Sequence, residues 1–221
     1  MPEPNHVSDA TVYRMALYHC FLGELLRSEP LPARIRSRQL AEDLGIKEET
    51  VRRDLSYVGG VGRPGAGYDA QELFDALQRF LGLSDEYPIV RIGTAQMLGA
   101  LDVVFPAESY GVLPVAYFSE LDSDVGSEVR GIKIQPLSDL SSLDPNLGVS
   151  VALVACAPAF VQETLYLLDK AGVSGVLLLT PSIRLEKPEG MNVTHVRMPC
   201  DIKSLACHCK PAASLLMDSQ D

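Results

Sequence analysis

The chain has 221 residues, 47% hydrophobic and 22% charged, an ordinary balance for a globular protein and a length that suits two small domains. No apolar run reaches the about 18 residues that a membrane span needs, which argues against an integral membrane protein. The formal net charge of −10 argues against an evenly basic nucleic-acid binder, because phosphate repels acid.

The acid is unevenly placed. Residues 1–83 carry ten Lys and Arg against twelve Asp and Glu, or −2, whereas residues 84–221 carry nine against seventeen, or −8. Within 34–63 the balance reverses to +2, with Arg34, Arg36, Arg38, Lys47, Arg52, Arg53 and Arg63 against five acids. A local basic face is therefore compatible with the acidic total. The opening MPEPNHVSDA lacks the basic and apolar regions of a signal peptide, so a cytoplasmic location is expected. The five cysteines then read as thiols rather than a disulfide framework.

In chain order, helical spacing of Val12, Leu17, Phe21, Leu22, Leu25 and Leu26 predicts a first helix from Asp9 to Ser28, with Ser8 or Asp9 as its N-cap. A joint with Pro30 and Pro32 leads to SRQLAEDLG, where Ser37 is the expected cap and Gly45 the helix stop. KEETVRRDLSYV follows, with Val51, Leu55 and Val58 inward and Thr50, Arg52, Arg53 and Ser56 outward. This is a helix-turn-helix pattern. The glycine-rich 59–67 reads as a loop or wing, and YDAQELFDALQRFLGL as a helix burying Leu73, Phe74, Leu77, Phe80 and Leu81. Residues 84–87 are the expected linker between a first, helix-turn-helix domain at 1–83 and a second domain at 88–199, with a helix and tail at 200–221.

Past Pro88 the period changes. Short apolar runs at 89–93, 112–118, 149–155, 175–179 and 194–198 alternate with lengths suited to helices, the clearest being FVQETLYLLDKAG from Phe160. The expected fold class is α/β, a winged helix-turn-helix followed by a Rossmann-like, doubly wound parallel sheet.

Two regions carry candidate chemistry. On the recognition helix, Arg52 and Arg53 suit phosphates or guanine O6 and N7, Thr50, Ser56 and Tyr57 flank them, and Arg63 on the wing suits an adjacent minor groove. A solvated helix whose arginines pair with Glu48, Glu49 or Asp54 is the alternative. The second region is the turn Gly93-Thr94-Ala95-Gln96-Met97-Leu98-Gly99, where a dinucleotide motif would place three glycines at closer spacing.

ETVRRDLSYVGGVGRPGAGY closely resembles the winged-helix segment of the Rex family of redox-sensing transcriptional repressors. Similarity extends over almost the whole chain, through IVRIG, SDVGSEVRGIKIQPLSDL, the turn APAF with Gln162, and GVSGVLLLTP. The resemblance implies a homodimer that exchanges its last helix, binding of double-stranded operator DNA, and release by NADH. It also implies that Ala157-Pro158-Ala159 and Thr180-Pro181 line the nicotinamide end. This chain departs from the family at the glycine turn and after the second strand, where Ser119 and then Glu120 stand in place of the ribose-binding acid. Lost bonds to a charged group, at about 1.5–3 kcal/mol each, would move NAD(H) affinity from micromolar toward millimolar. A different small-molecule effector, or an empty scaffold kept for dimerisation, are the alternatives.

The tail holds Cys200, Cys207, His208 and Cys209, with His195 upstream. Packing as small apolar residues, metal binding and thiol redox sensing are the three readings, and C-x6-C-x-C matches no standard ligand knuckle. Catalysis is not expected, since none of the four histidines neighbours the nicotinamide turns in sequence and no spare domain offers a substrate site.

Overall fold

The computed structural model describes residues 7–28, 34–59, 62, 66–83, 86–181 and 184–209, without the His208 side chain. They divide into two compact units, one reaching to Tyr87 and including Ser109–Gly111, the other formed by Pro88–Glu108 and the chain from Val112 onward. Arg63, Ser84, Asp85 and the tail beyond Cys209, all part of the sequence expectations, lie outside the described residues. No helix among the described residues is long and apolar enough to cross a membrane.

The first unit runs α1 (Asp9–Leu26), β1 (Arg34–Ile35), α2 (Ser37–Leu44), α3 (Glu48–Val58), β2 (Tyr68–Asp69) and α4 (Ala70–Leu81). Ser8 caps α1 by accepting from the Thr11 N–H. The expected cap of α2 is corrected: Arg36 holds the N-cap position, and Ser37 is the first helical residue, its hydroxyl donating to Glu48 Oε1 at 3.0 Å. Gly45 ends α2 at φ +64, the left-handed conformation that a Cβ would strain.

The joint after α1 and the start of the α4 segment are also corrected. Arg34–Ile35 and Tyr68–Asp69 are strands, paired antiparallel with Ile35 opposite Tyr68. Helix α4 starts only at Ala70, because the Asp69 carboxylate caps the N–H groups of Gln71 and Glu72. Gly67 permits this pairing: a Cβ there would come within 2.7 Å of Ile35 O, at a φ of +74. Met15, Tyr18, Leu22, Ile35, Leu40, Val51, Leu55, Val58, Leu73 and Leu77 form the core.

Helix α3 is fixed to α1 by a charge. Asp54, 1% exposed, accepts from Arg14 Nε at 2.6 Å and Nη2 at 2.8 Å, and from the Tyr18 hydroxyl at 2.9 Å. A carboxylate taken out of water is tolerated only when so matched. Burial, and then the bond to Asp54, push the Tyr18 phenol well above its usual range, so it stays a donor.

The second unit is a seven-stranded sheet of β3 (Tyr87–Ile92), β4 (Val112–Ser119), β5 (Glu128–Val129), β6 (Ile132–Pro136), β7 (Val151–Val154), β8 (Gly175–Leu178) and β9 (Asn192–His195). Their order is β5-β6-β4-β3-β7-β8-β9. Without the antiparallel edge strand β5, the spatial sequence is third, second, first, fourth, fifth, sixth, the dinucleotide-fold order whose direction reverses beside β3. The pairs β4–β6, β3–β7, β7–β8 and β8–β9 are parallel. Strand β3 buries Ile89, Val90, Arg91 and Ile92 in succession, as a strand covered on both faces must.

Sequence periodicity missed β5 and β6, which are short and part polar. It also placed the last strand too late: the strand is Asn192–His195, and Met198 already opens α7 (Met198–His208). The expected linker is shortened, since Tyr87 is the first residue of β3.

Arg91 is an unusual occupant of such a strand. Fully buried, it forms an ion pair with Asp102 on α5 (Ala95–Val104) and lies 5.8 Å from the centre of the Phe105 ring. The Tyr117 hydroxyl also donates to Asp102, at 3.4 Å. Arg91 Nε and Nη2 have no hydrogen-bond partner among the described residues. A pair so placed positions α5 while returning little net stability.

Asp102→Ala is therefore expected to destabilise the protein by about 3–5 kcal/mol, by stranding the arginine charge, whereas Arg91→Met with Asp102→Leu should be neutral or stabilising. Chemical denaturation of the two variants checks this. In the first unit, Arg14→Ala should cost about 3 kcal/mol in the same measurement.

Candidate functional site

With Val51, Asp54, Leu55 and Val58 buried, α3 turns Arg52, Arg53 and Ser56 to solvent. Thr50 and Tyr57 are half-buried, and the Tyr57 ring packs against the helical core. Arg52 Nη2 meets Glu48 Oε1 at 2.6 Å, and its Nε donates to Ser37 Oγ at 3.3 Å. An exposed i, i+4 pair of this kind is worth about 0.3–0.5 kcal/mol, little enough to be exchanged for a ligand oxygen. Arg53 makes no ion pair among the described residues, and Ser56 Oγ donates to its carbonyl at 2.6 Å. Of the acids considered as partners for these arginines, Glu48 takes Arg52, while Asp54 faces inward to Arg14. The exposed Arg34, Arg36 and Arg38 add cations within the same unit, Arg38 pairing with Glu42 at 2.8 Å.

In the second unit, the ends of β3, β4 and β7 meet where the strand order reverses, the place at which open α/β sheets bind ligands. Gly93 follows β3, and a Cβ there would approach Ala155 O to 3.3 Å, so the backbone of the two strand ends is close. Thr94 caps α5, accepting from the Met97 N–H at 3.2 Å. Ala95 is half-buried and Gln96 exposed. Gly99 faces open space, so close packing does not require a glycine there.

The two residues after β4 are both engaged internally. Ser119, buried at the strand end, donates to Asp124 Oδ2 at 2.9 Å and accepts from the Leu121 N–H at 3.1 Å. The same Asp124 oxygen accepts from the Ala95 N–H at 2.8 Å, the first amide of α5. Glu120 turns the other way, its Oε1 accepting from the Ala157 N–H at 2.8 Å. Its Oε2 is buried with no hydrogen-bond partner among the described residues. Pro158 begins the short 3-10 turn Pro158–Phe160 before α6 (Val161–Lys170). Thr180 Oγ1 donates to Cys156 O at 2.6 Å, and Pro181 beside it is exposed.

The geometry thus gathers Gly93, Thr94, Ala95, Ser119, Glu120 and Ala157 at one end of the sheet. Asp124, within the stretch SDVGSEVRGIKIQPLSDL but not expected there as a site residue, is brought to them by the turn after β4. A dinucleotide pyrophosphate would sit at the N-terminus of α5. The groups found there do not fit it: a carboxylate already takes the leading amide and would repel phosphate.

The cysteines do not converge. Cys200, Cys207 and Cys209 are exposed, the last just past α7, and no group of three or more His, Cys, Asp or Glu among the described residues is arranged to hold a metal ion. Cys156 is buried, which pushes its thiol up to about 11.

Residues 6–56 match a family model described as "Putative DNA-binding protein N-terminus". Over 202 residues the chain is 31% identical to the redox-sensing transcriptional repressor Rex of Streptomyces griseus, covering 91% of this chain and 79% of that protein. The chain belongs to the Rex family of redox-sensing transcriptional repressors. Rex of Halalkalibacterium halodurans is 30% identical over 204 residues, with 92% of this chain and 94% of the relative covered. Among solved structures, RSP in complex with beta-NAD+ and operator DNA matches with a TM-score of 0.76 and 25% identity, covering 91% of this chain and 92% of that one. The fold is thus the Rex fold, helical unit and dinucleotide-type sheet together.

Thiolate is the form that reacts, so alkylation by iodoacetamide at pH near 8 should label Cys200, Cys207 and Cys209 well before Cys156 in the folded protein. Peptide mapping by mass spectrometry reads the order.

Proposed function

We propose that this Rex-family chain is a homodimeric repressor that binds double-stranded operator DNA in the cytoplasm and catalyses no reaction. The observation that carries the reading is the outer face of α3, where Arg52 and Arg53 stand exposed on a helix whose other face is locked into the core. Inserted in a major groove, Arg53 reaches base edges directly, and Arg52 exchanges Glu48 for a phosphate or a guanine. Thr50, Ser56 and the Tyr57 hydroxyl serve phosphate oxygens. The role of Arg63 in an adjacent minor groove rests on the sequence alone. The operator DNA named with RSP supports this assignment.

Dimerisation is supported by α7. Met198, Ile202 and Leu205 recur at helical spacing and are 57%, 66% and 65% exposed, an apolar stripe that a second copy of the chain would cover. Two recognition helices related by a twofold axis would read a near-palindromic site. An effector regulates such a dimer only by binding its DNA-competent and DNA-incompetent forms with different free energies. We assign that role to the end of the sheet around Gly93, Ser119, Glu120 and Thr180, where Asp124 already holds the first amide of α5.

Fluorescence anisotropy on a palindromic operator, selected from genomic fragments, tests the reading. Arg52→Ala and Arg53→Ala should each lose about 1–3 kcal/mol of operator affinity with unchanged thermal stability, and affinity should fall steeply with salt. Failure of the wild-type chain to bind any duplex at low salt would refute it. Ile202→Glu should shift the protein toward monomer in sedimentation velocity; an unaltered dimer would remove α7 from the interface.

A further inference from the structure

We propose that Asp124 is a built-in occupant of the dinucleotide phosphate site, and that it, rather than the altered glycines alone, sets a weak affinity for NAD(H). The inference rests on the Rex-type reading of the sheet as the sensing unit. Two observations place the carboxylate there. Its Oδ2 accepts the Ala95 N–H at 2.8 Å, the amide that opens α5, and the Ser119 hydroxyl holds the same oxygen at 2.9 Å from the end of the neighbouring strand.

The loop that carries Asp124 is itself braced. Its amide donates to Leu121 O at 3.0 Å, its carbonyl accepts from the Ser127 N–H at 3.0 Å and from the Ser127 hydroxyl, and the Gly126 amide donates to Ile134 O on β6 at 2.9 Å. The carboxylate is therefore preorganised against the helix end, where partial positive charge favours an anion.

A pyrophosphate approaching the same helix end must displace this internal anion or accept its repulsion. Ser119 compounds the effect. It stands where a ribose-binding acid would act, but its hydroxyl is already committed to Asp124, and Glu120 is committed to Ala157 on the other side. The Ala95 amide, the Ser119 hydroxyl and one Glu120 oxygen are thus taken by the chain's own groups.

Removal of the carboxylate should open the site. Titrated by isothermal calorimetry with NADH and, separately, with ADP-ribose, the full-length wild type should bind weakly, and Asp124→Ala should bind both at least about tenfold more tightly. Asp124→Asn, which keeps an oxygen acceptor and loses the charge, should gain in the same direction. Asp139→Ala, which removes one exposed negative charge elsewhere in the same unit, should gain nothing. Thermal melts establish that the variants are folded.

Micromolar NADH binding by the wild type would overturn the proposal. So would folded Asp124 variants that gain no affinity, or a gain for NADH without one for ADP-ribose, which would place the effect away from the phosphates. Operator binding is measured on the same samples: its absence strikes the repressor reading, whereas the nucleotide titrations judge Asp124 independently.

Discussion

A charge removed from water must be matched, and each unit of this protein uses that constraint to hold the helix on which its candidate chemistry stands. Asp54 is buried against Arg14 and Tyr18, which ties α3 to α1 in one rotational setting. Asp102, its side chain 8% exposed, meets the buried Arg91 and Tyr117, which ties α5 to β3 and β4. Such pairs add little net stability compared with an apolar replacement. What they contribute is position: a helix rotated by one residue would leave a carboxylate without its partner.

In the helical unit the consequence is an outward set of cations. Once Asp54 is drawn inward with Val51, Leu55 and Val58, neighbouring Arg52 and Arg53 must project to the opposite surface. An exposed cationic helix face is thus compatible with an acidic chain. The charge that matters is local: residues 34–63 carry +2 within a chain of −10.

In the sheet unit the same preference for matched groups has a different outcome. Anchored α5 presents its first amide at the point where the strand order reverses, and the chain supplies its own anion there. The Rex fold is kept while the leading amide of α5 and the Ser119 hydroxyl are engaged internally. Ser119 is the hinge of this arrangement, because a hydroxyl can donate to Asp124 where a second carboxylate would repel it.

Most of the architecture was legible from the chain, for physical reasons that differ by element. Helices α1 to α4 and α6 declared themselves through apolar spacing and, for α2, through Gly45 at its end, and the buried parallel strands through unbroken apolar runs. The strands β1, β2, β5 and β6 were not legible, because two- to five-residue segments of mixed polarity carry no period. The exposed arginines could be read from the pattern of α3, since a helix with one buried face fixes what lies on the other. The partner of each charge could not. Arg14 and Asp54 are 40 positions apart, and Ala95 and Asp124 are 29, so only the folded chain decides that one carboxylate secures α3 and another meets the first amide of α5. Sequence alone determined the Rex likeness, the two-part organisation and the cationic helix, because these follow from local periodicity and motif. Tertiary structure alone decided which buried charges meet, because that depends on distances through space that no spacing along the chain encodes.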